Sequence, residues 1–395
     1  MTSLVFIKKL LIVLLWRVLN KMKKICFIIT DAISFNTLCK GQLEYFYNTQ
    51  EFDVTLVCGG DERQIEKLKA RKVGKVIKMP LTRQPNLLND IKCLFMLWKF
   101  LLINRFDLIV YSTPKALLLG SLASFLSFQP NRTALVRGRV YENYTGKKRK
   151  FFSFLDKISL SFSNYVLFIS KSLKQVYLDE KIISASKAII LNQGSSNGVD
   201  IHKFYPIESR VNQKFNIIMM GRICHDKGIF DLTKLIELIK DLPLELILVG
   251  KVEDEESQFE LDYILKNYDF VKYIPHTTEP VNYFQHADLH LFLSHREGFG
   301  NVALEAASCN VPTFAYDVTG VKDSVQDNIS GLKFAFQDIE SIAEAIRNAV
   351  ENPQKFKSQF SNSRDWAIKN FEQKKVWNNY LNFYQKISNS KLTHD

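Results

Sequence analysis

Short, continuously apolar segments alternate with longer amphipathic segments along most of the chain. Seven runs rich in Val, Ile and Leu predict strands, at 25–30, 53–58, 75–79, 108–111, 133–136, 166–170 and 188–191. Helices are predicted between these strands, at 41–49, 62–71, 87–102 and 152–163. Continuous apolar strands separated by helices are typical of a parallel sheet that is covered on both faces.

The same pattern restarts near residue 215. Strands are predicted at 215–220, 244–249, 270–274, 289–293 and 312–316, and helices at 230–240, 255–266, 281–286, 302–309 and 339–350. The polar connection 201–213 predicts a linker. We therefore predict an α/β protein with two tandem Rossmann-like, doubly wound domains, 22–200 and 214–360, that face a cleft. C-terminal helices are predicted within 361–395 and could pack back on the first domain.

Residues 1–21 leave two interpretations open. Their longest apolar run, 10–16, is too short to span a bilayer, and no small-residue cleavage site follows it. The segment is either an amphipathic helix for an anionic membrane surface or an extension upstream of a natural start at Met22.

The composition excludes several classes of protein and indicates an anionic partner. With 46% apolar and 24% charged residues, the chain is neither disordered nor fibrous, and it is not a polytopic membrane protein. The net charge of +12 is uneven, because the first 200 residues carry 31 Lys and Arg against 14 Asp and Glu. Such a basic half indicates a membrane surface, a phosphate-bearing substrate or nucleic acid. The six scattered cysteines indicate reduced thiols.

A candidate phosphate site follows the first strand of the second domain. Gly221 allows a sharp turn there, and Arg222 and Lys227 stand five residues apart in a loop that leads into a helix. Two cations beside a helix N-terminus favour a diphosphate ligand. No GxGxxG motif follows either first strand, which disfavours a nicotinamide or flavin dehydrogenase, and residues 31–34 are predicted as a loop.

Two further loops follow the predicted strands 289–293 and 312–316. The first contains Glu297, Gly298 and Gly300, and a helix predicted to start near Asn301 carries Glu305 one turn inside it. Its free amides suit phosphate or sugar oxygens, and a carboxylate can accept hydrogen bonds from two neighbouring hydroxyls. The second loop holds Thr319-Gly320 and enters another helix. We expect the three loops to form one site at the ends of the strands.

These motifs, in this order and spacing, resemble the C-terminal half of the retaining family-four glycosyltransferases of the GT-B fold. The residues that carry the resemblance are Gly221-Arg222-x4-Lys227-Gly228, Glu297-x7-Glu305 within EGFGNVALEA, and Thr319-Gly320. The segment 192–200 more loosely resembles the domain-joining segment of bacterial members that build surface polysaccharides. The resemblance covers about residues 22–370.

The resemblance implies a sugar transferase that uses a nucleotide diphosphate sugar, with UDP as the default nucleotide. Arg222 and Lys227 would neutralise the donor diphosphate as it leaves, and Glu297 would contact the transferred sugar. Glu305 would bind the ribose. The implied catalytic residues are Glu297, Arg222 and Lys227, and the implied donor-binding residues are Gly221, Arg222, Lys227, Gly298, Phe299, Gly300, Asn301, Glu305, Thr319 and Gly320.

One loop of the first domain departs from the family pattern. Where many members carry a His-Gly pair, this chain reads Arg137-Gly138-Arg139. Arg137 could hold an acceptor phosphate or the donor diphosphate. No acidic motif typical of metal binding ends a predicted strand, and the acidic run 253–256 is interpreted as a solvated helix start, so we expect neither a metal nor another cofactor.

The basic first domain is expected to take the acceptor, a lipid-linked saccharide, at the inner face of the cell membrane. The cluster Lys147-Lys148-Arg149-Lys150, with Phe151 and Phe152, resembles a patch that docks on an anionic surface. Residues 94–103, with Trp98, could contribute to the same docking, but they are better explained as an ordinary covering helix. The expected enzyme is therefore cytoplasmic and peripheral to the membrane.

Two alternatives stay open at this point. The first is a UDP-sugar epimerase of GT-B-like fold, or a phosphorylase. The second is a basic nucleic-acid-binding protein, which Glu297, Glu305 and the acidic second half of the chain disfavour, so no nucleic-acid partner is expected.

Overall fold

A computed structural model of the chain describes residues 22–142, 144–207 and 214–389. Seven strands form the first sheet, in the order β3-β2-β1-β4-β5-β6-β7. They are β1 Lys23–Asp31, β2 Phe52–Gly59, β3 Lys75–Lys78, β4 Leu108–Ser112, β5 Arg132–Val136, β6 Tyr165–Phe168 and β7 Ala188–Ile190. The pairs β1–β2, β1–β4, β2–β3 and β4–β5 are parallel. Burial explains the apolar runs, since Ile25, Ile28 and Leu108 are almost fully buried.

Helices connect the strands of the first sheet. They are α1 Ala32–Leu38, α2 Gln42–Thr49, α3 Glu62–Ala70, α4 Leu87–Ile103, α5 Pro114–Leu126, α6 Gly146–Ser161 and α7 Lys171–Asp179. The predicted loop at 31–34 was wrong: Asp31 ends β1, and its carboxylate caps α1 by accepting from the Ser34 amide at 3.0 Å. Helix α5 was missed because its sequence is apolar without a helical period.

Six strands form the second sheet, in the order β10-β9-β8-β11-β12-β13. They are β8 Phe215–Met220, β9 Leu244–Val249, β10 Val271–Ile274, β11 Leu289–Phe292, β12 Thr313–Tyr316 and β13 Gly331–Phe334. All five neighbouring pairs are parallel. Strand β13 was missed because it is a short, half-exposed edge strand that contains a lysine.

Helices cover this second sheet and continue to the end of the described chain. They are α8 Ile229–Ile239, α9 Glu255–Asn267, α10 Pro280–His286, α11 Asn301–Ser308, α12 Ile339–Glu351, α13 Pro353–Gln359, α14 Ser363–Phe371 and α15 Gln373–Asn389, with a short 3-10 turn at His225–Lys227. The core between helices and sheet is continuous and includes Leu246, Leu291 and Phe314. Two parallel sheets with interleaved helices confirm the predicted α/β fold class.

The described residues divide into two compact units. The first comprises 22–135, 155–166 and 381–389, and the second comprises 136–154 and 167–380, apart from the undescribed positions 143 and 208–213. In the first unit, Tyr384 of α15 packs its ring 6.0 Å from the rings of both Phe27 and Phe46. The predicted domain boundaries at 200 and 214 stay a prediction.

Three parts of the sequence-based interpretation lie partly or wholly outside the described residues. They are the extension 1–21, the second half of the predicted linker, and the last residues of the C-terminal segment. Among the helices that the structure describes, none combines the length and the apolar character that crossing a membrane requires.

Candidate functional site

Every predicted site residue lies in the second compact unit. Three of the predicted loops follow β8, β11 and β12, which are consecutive in the sheet and parallel. The carboxyl ends of parallel neighbours lie at one edge, so the sheet itself brings the three loops together.

Lys227 and Glu297 are in direct contact at this edge. Lys227 ends the 3-10 turn after β8, and its Nζ forms an ion pair with Oε1 of Glu297 in the loop after β11. Ser294 Oγ lies 3.2 Å from the same carboxylate oxygen. Both charged side chains are about four-fifths buried, at 17% and 20% exposure. The pair is therefore a fixed feature of the edge and not two solvated loop charges.

Arg222 is more exposed and is paired with a different acid. Its Nη1 lies 2.5 Å from Oε1 of Glu253, and this hydrogen bond lowers the pKa of the Glu253 carboxyl. The acidic run was predicted to be a solvated helix start. Asp254 does cap α9, but Glu253 serves instead as the partner of Arg222. Arg222 also lies within electrostatic reach of Glu297.

Two glycines allow the backbones of these loops to touch. A Cβ on Gly298 would lie 2.0 Å from the carbonyl oxygen of Arg137. Gly320 has a φ of +78°, and a Cβ there would lie 2.1 Å from the carbonyl oxygen of Glu297. The Glu297 amide donates to the Thr319 carbonyl at 3.2 Å. Thr319 and Gly320 therefore position the backbone that carries Glu297.

Helix α11 begins at Asn301, as predicted, and presents an uncapped N-terminus. Gly300 precedes it in the left-handed region and supplies no side-chain cap. The Asn301 side chain is held from behind, since its Oδ1 accepts from Ser195 Oγ at 3.0 Å. The first amides of α11 are thus oriented toward the edge of the sheet, where an anion would be stabilised.

Glu305 lies one turn inside α11 and stands apart from the two ion pairs. Burial raises the pKa of its carboxyl to about 7, and the Lys203 cation offsets part of this effect. Its carboxylate makes no hydrogen bond or ion pair with any residue that the structure describes. A desolvated carboxylate without a polar partner is suited to accept hydrogen bonds from a ligand.

Phe299 has a packing role. Its ring is buried and lies 5.2 Å from the ring of Phe371, and Gly194 allows close approach on another side. Gly221, by contrast, has open space around its missing Cβ. A Cβ on Gly250 would meet the Gly221 carbonyl oxygen at 1.7 Å, so the loops after β8 and β9 are in contact here.

The loop Arg137-Gly138-Arg139 lies against the loop after β11. The Arg139 side chain is buried, forms ion pairs with Glu142 at 2.9 Å and Glu180 at 2.8 Å, and stacks over Tyr141. Its charge is therefore engaged within the protein. The Arg137 backbone contacts Gly298, as described above, so this loop borders the site.

Sequence reasoning missed the residues that connect these loops. Arg296 pairs with Asp226 at 2.6 Å, and its Nη1 donates to the carbonyls of Arg139 at 3.1 Å and Val140 at 2.9 Å. One side chain therefore joins the loop after β8 to the loop after β5. Asp226 lies within the first quoted motif and Arg296 directly precedes the second, but nothing in one sequence pairs positions 70 residues apart.

A buried network supports the site from below. His295 Nε2 lies 2.8 Å from Asp231 Oδ2, which also accepts from the Tyr316 hydroxyl at 3.1 Å. Burial works to raise the pKa of Asp231, but the hydrogen bonds from His295 and Tyr316 and the nearby charges of His295 and Lys234 together outweigh it and leave this pKa below its usual value. The network fixes the segment two residues before Glu297.

The loop after β6 is fastened to the loop after β12. Asp323 accepts from the amides of Lys171 at 2.8 Å and Ser172 at 3.1 Å, at the start of α7. The Ser172 hydroxyl accepts from the Gly320 amide at 2.8 Å. These bonds hold Gly320, and through it Glu297, in place.

The assembled edge offers two cations, an uncapped helix and a carboxylate that is open to hydroxyl groups. This combination can bind a diphosphate and a sugar together, with positive charge next to the phosphates. Among the described residues, no three His, Cys, Asp or Glu side chains are grouped as a metal ion would need.

Comparison with known proteins agrees with this chemistry. Residues 202–366 match the family model described as glycosyl transferases group 1. Over 375 residues the chain is 28% identical to a Staphylococcus aureus protein named capsular polysaccharide biosynthesis glycosyltransferase CapM, covering 92% of this chain and 97% of that one. A Campylobacter jejuni protein named N,N'-diacetylbacillosaminyl-diphospho-undecaprenol alpha-1,3-N-acetylgalactosaminyltransferase is 24% identical over 318 residues, 75% of this chain and 81% of that one.

Solved structures share the fold. The Anabaena protein HepE, solved in complex with UDP, matches with a TM-score of 0.76 over 92% of this chain and 100% of that chain, at 19% identity. The apo form of the lipopolysaccharide outer core galactosyltransferase WaaB matches with a TM-score of 0.64 over 92% of this chain and 99% of that one, at 16% identity.

Proposed function

This chain is a glycosyltransferase that carries a group 1 domain in the GT-B fold, and we propose that it moves a sugar from a UDP-sugar to a lipid-linked saccharide during surface-polysaccharide synthesis. Two relatives support the pathway and the acceptor: one is named for capsular polysaccharide biosynthesis and another for a diphospho-undecaprenol acceptor. The UDP-bound form of HepE supports the choice of nucleotide.

The observation that carries the proposal is the Lys227–Glu297 pair beside the uncapped start of α11. The donor diphosphate would lie at this edge, with Lys227 and Arg222 as its counter-ions. Each cation is now held by a carboxylate, Glu297 or Glu253. Binding a dianion would draw both cations toward the phosphates and release Glu297 to accept hydrogen bonds from the transferred sugar.

Group transfer breaks the bond between the anomeric carbon and the diphosphate oxygen, and the electron pair stays on the diphosphate. The acceptor hydroxyl oxygen forms the new bond to the anomeric carbon, and its proton passes to an oxygen of the departing diphosphate. The charge that develops on the departing diphosphate is stabilised by Arg222, Lys227 and the α11 amides, which are in place before the reaction. Glu305 would hold the two ribose hydroxyls through its carboxylate.

We further propose that transfer proceeds with retention, as the family resemblance implies. We also propose that it needs no metal ion, because Arg222 and Lys227 supply the positive charge at the diphosphate. Turnover that EDTA abolishes and Mg²⁺ or Mn²⁺ restores would contradict the second part. An inverted anomeric configuration of the product, measured by NMR, would contradict the first.

The acceptor side is proposed to work at the inner face of the cell membrane. Lys147, Lys148, Lys150 and Phe151 are exposed on α6, as a docking patch requires. Arg149 does not join them, because it pairs with Glu180 at 2.6 Å, and Phe152 packs against Tyr141 and Tyr144.

Nucleotide binding and turnover test the proposal directly. UDP should raise the melting temperature more than GDP or ADP, because a ligand that binds only the folded state stabilises it. Arg222→Ala should weaken this shift and slow transfer, whereas Arg347→Ala, which removes an exposed arginine paired with Asp241, should change neither. If no nucleotide raises the melting temperature, the donor site is wrongly placed.

A further inference from the structure

Helix α4 of the first unit is apolar on both of its faces. Cys93, Leu97 and Leu101 are fully buried and recur every four residues, so they form the inner face of the helix. The opposite face is exposed and also apolar, with Leu88 82% and Phe95 59% exposed. Its exposed apolar side chains are Leu87, Leu88, Ile91, Phe95, Met96, Leu102 and Ile103. A surface helix normally presents polar side chains on that side.

The exposed face continues onto the end of α5. The Trp98 indole N–H donates to the Leu126 carbonyl at 3.3 Å, and the Trp98 ring lies 5.6 Å from the Phe95 ring. Phe125, Leu126 and Phe128 are exposed at this end, with Phe128 77% exposed. We call these residues, with the outer face of α4, the α4–α5 surface. A contiguous apolar area of this kind marks an interaction site.

The exposed charges on the α4–α5 surface are mostly positive. Lys92, Lys99 and Arg105 are exposed on it. Its two acidic residues are engaged elsewhere: Asp90 pairs with Lys115 at 2.7 Å, and Asp107 accepts from the Lys24 amide at 2.8 Å. The surface therefore combines apolar side chains with cations, and of its two carboxylates only that of Asp107, 39% exposed, is solvated.

We propose that the α4–α5 surface docks on an anionic phospholipid surface, with Phe95, Leu88 and Phe128 in the interface and the cations against the headgroups. The chemistry suits this occupant, because interfacial helices pair large apolar side chains with Lys and Arg. The inference goes beyond the α6 patch, and it rests on the proposed function only in that a lipid-linked acceptor would be met at the same membrane.

Two other occupants fit the charges less well. A second copy of the chain in a two-fold dimer would set the lysines of one face against those of the other, and interface cores are depleted in lysine. The segment 1–21 of the same chain carries four Lys and Arg residues and no acid, so it too would bring like charge to the surface.

Vesicle binding by the full-length protein tests the proposal. Vesicles of phosphatidylglycerol with phosphatidylcholine are compared with phosphatidylcholine alone, at low and high salt, without acceptor. The double variant Leu88→Ser, Phe95→Ser should lose roughly tenfold or more in affinity, given the apolar area removed. Its matched control is Phe259→Ser, Tyr263→Ser, on exposed apolar residues of α9 that lie among acidic side chains.

A charge variant and a spectroscopic readout complete the test. The double variant Lys92→Gln, Lys99→Gln should bind anionic vesicles more weakly and with a smaller dependence on salt. The control is the double variant Lys355→Gln, Lys357→Gln, which has the same change in net charge and should have a smaller effect. Brominated lipids should quench fluorescence from the wild type more than from Trp98→Phe, which reports the surface without disturbing Leu88 or Phe95.

The outcomes separate the alternatives. Unchanged vesicle affinity in both α4 variants, with no quenching of Trp98, overturns the proposal and leaves α6 or residues 1–21 as the membrane contact. A wild-type dimer that Leu88→Ser, Phe95→Ser converts to a monomer also overturns it, in favour of a second copy. Because no acceptor is present, failure of the proposed sugar transfer would leave these results unaffected.

Discussion

The carboxyl edge of the second sheet and the α4–α5 surface are built in opposite ways. At the edge, Lys227 and Glu297 are largely enclosed and paired, and backbone contacts such as that between Gly320 and the Glu297 carbonyl hold them in place. On the α4–α5 surface, apolar side chains and cations point outward without partners of opposite charge. The first arrangement suits a small anionic ligand of defined shape, and the second suits a broad, deformable partner.

The difference predicts how each region responds to substitution. At an enclosed site one misplaced atom removes a specific interaction, so single changes should have large effects that depend on geometry. On an open surface each side chain contributes a part of the buried area, so effects should be smaller and additive.

Lys227→Ala should cause the largest loss. Removing one preorganised charge from a developing anion costs roughly 10²–10³-fold in kcat, and the same variant leaves Glu297 without its partner. The measurement is steady-state transfer at saturating donor. Lys240→Ala, which removes a lysine paired with Glu237 on the surface, is the control. Equal turnover in Lys227→Ala and the control would contradict a catalytic role for Lys227 and, with it, the expectation that single changes at the enclosed edge have large effects.

Gly320→Ala should destabilise the second unit by about 2–4 kcal/mol, because a left-handed backbone and a collision with the Glu297 carbonyl act together. Gly146→Ala is the matched variant. It has a φ of +57° but nothing within 4 Å of the new Cβ, so it should cost about 1 kcal/mol. Thermal unfolding measures both. Similar losses would mean that strain alone, and not loop contact, sets the cost.

Much of the edge could be predicted from the sequence because its chemistry is local. Glycines, cations and carboxylates follow apolar strands within a few residues, and parallel strands bring their ends together without further information. Asn301 begins α11 as expected for this reason. Arg296 was missed because its partners, Asp226 and the Arg139 carbonyl, are distant in sequence, and only the folded chain pairs them.

The sequence indicates 94–103 only as a possible docking segment, and the full extent of the α4–α5 surface could not be predicted from it, for a physical reason. An apolar segment such as 94–103 predicts burial, and the inner face of α4 is buried. Which of its side chains stay exposed depends on how many neighbours pack against it, which is a property of the tertiary structure. Phe95 and Leu97 read alike in the sequence, yet one is exposed and the other is buried.

The interior of the second sheet supplies a third prediction, on acid stability. His290 is buried in β11, its Nδ1 lies 3.1 Å from Thr313 Oγ1, and burial lowers its pKa to about 3. The folded state keeps this histidine neutral, whereas the unfolded chain binds a proton near pH 6.5. Stability is therefore complete above pH 6.5 and falls as the pH drops toward 3, by about 2 kcal/mol at pH 5.

Calorimetry between pH 7 and pH 5 measures this loss. No histidine occurs before residue 202, so the unfolding transition of the first unit should respond less to pH than that of the second. His290→Phe should flatten the response of the second unit, and His276→Ala, at an exposed histidine, should not. A steep response that persists in His290→Phe would assign the acid sensitivity to other groups.

Glu305 gives the smallest expected effect and the most specific one. Because burial raises its pKa to about 7, the carboxylate that we propose to bind the ribose is half protonated near neutral pH. Affinity for a UDP-sugar should therefore increase by about five- to tenfold from pH 6 to pH 8. Glu305→Gln should abolish this dependence, whereas Glu340→Gln, at an exposed glutamate of α12, should leave it intact.

Titration calorimetry measures the affinity of Glu305 variants for the donor directly. The UDP-sugar itself, a diester of diphosphate, carries no phosphate group that titrates between pH 6 and pH 8. A flat profile in the wild type would mean that Glu305 does not meet the donor. Donor binding at the edge would then depend on Arg222 and Lys227. The contrast with the α4–α5 surface would be carried by the enclosed pair of Lys227 and Glu297.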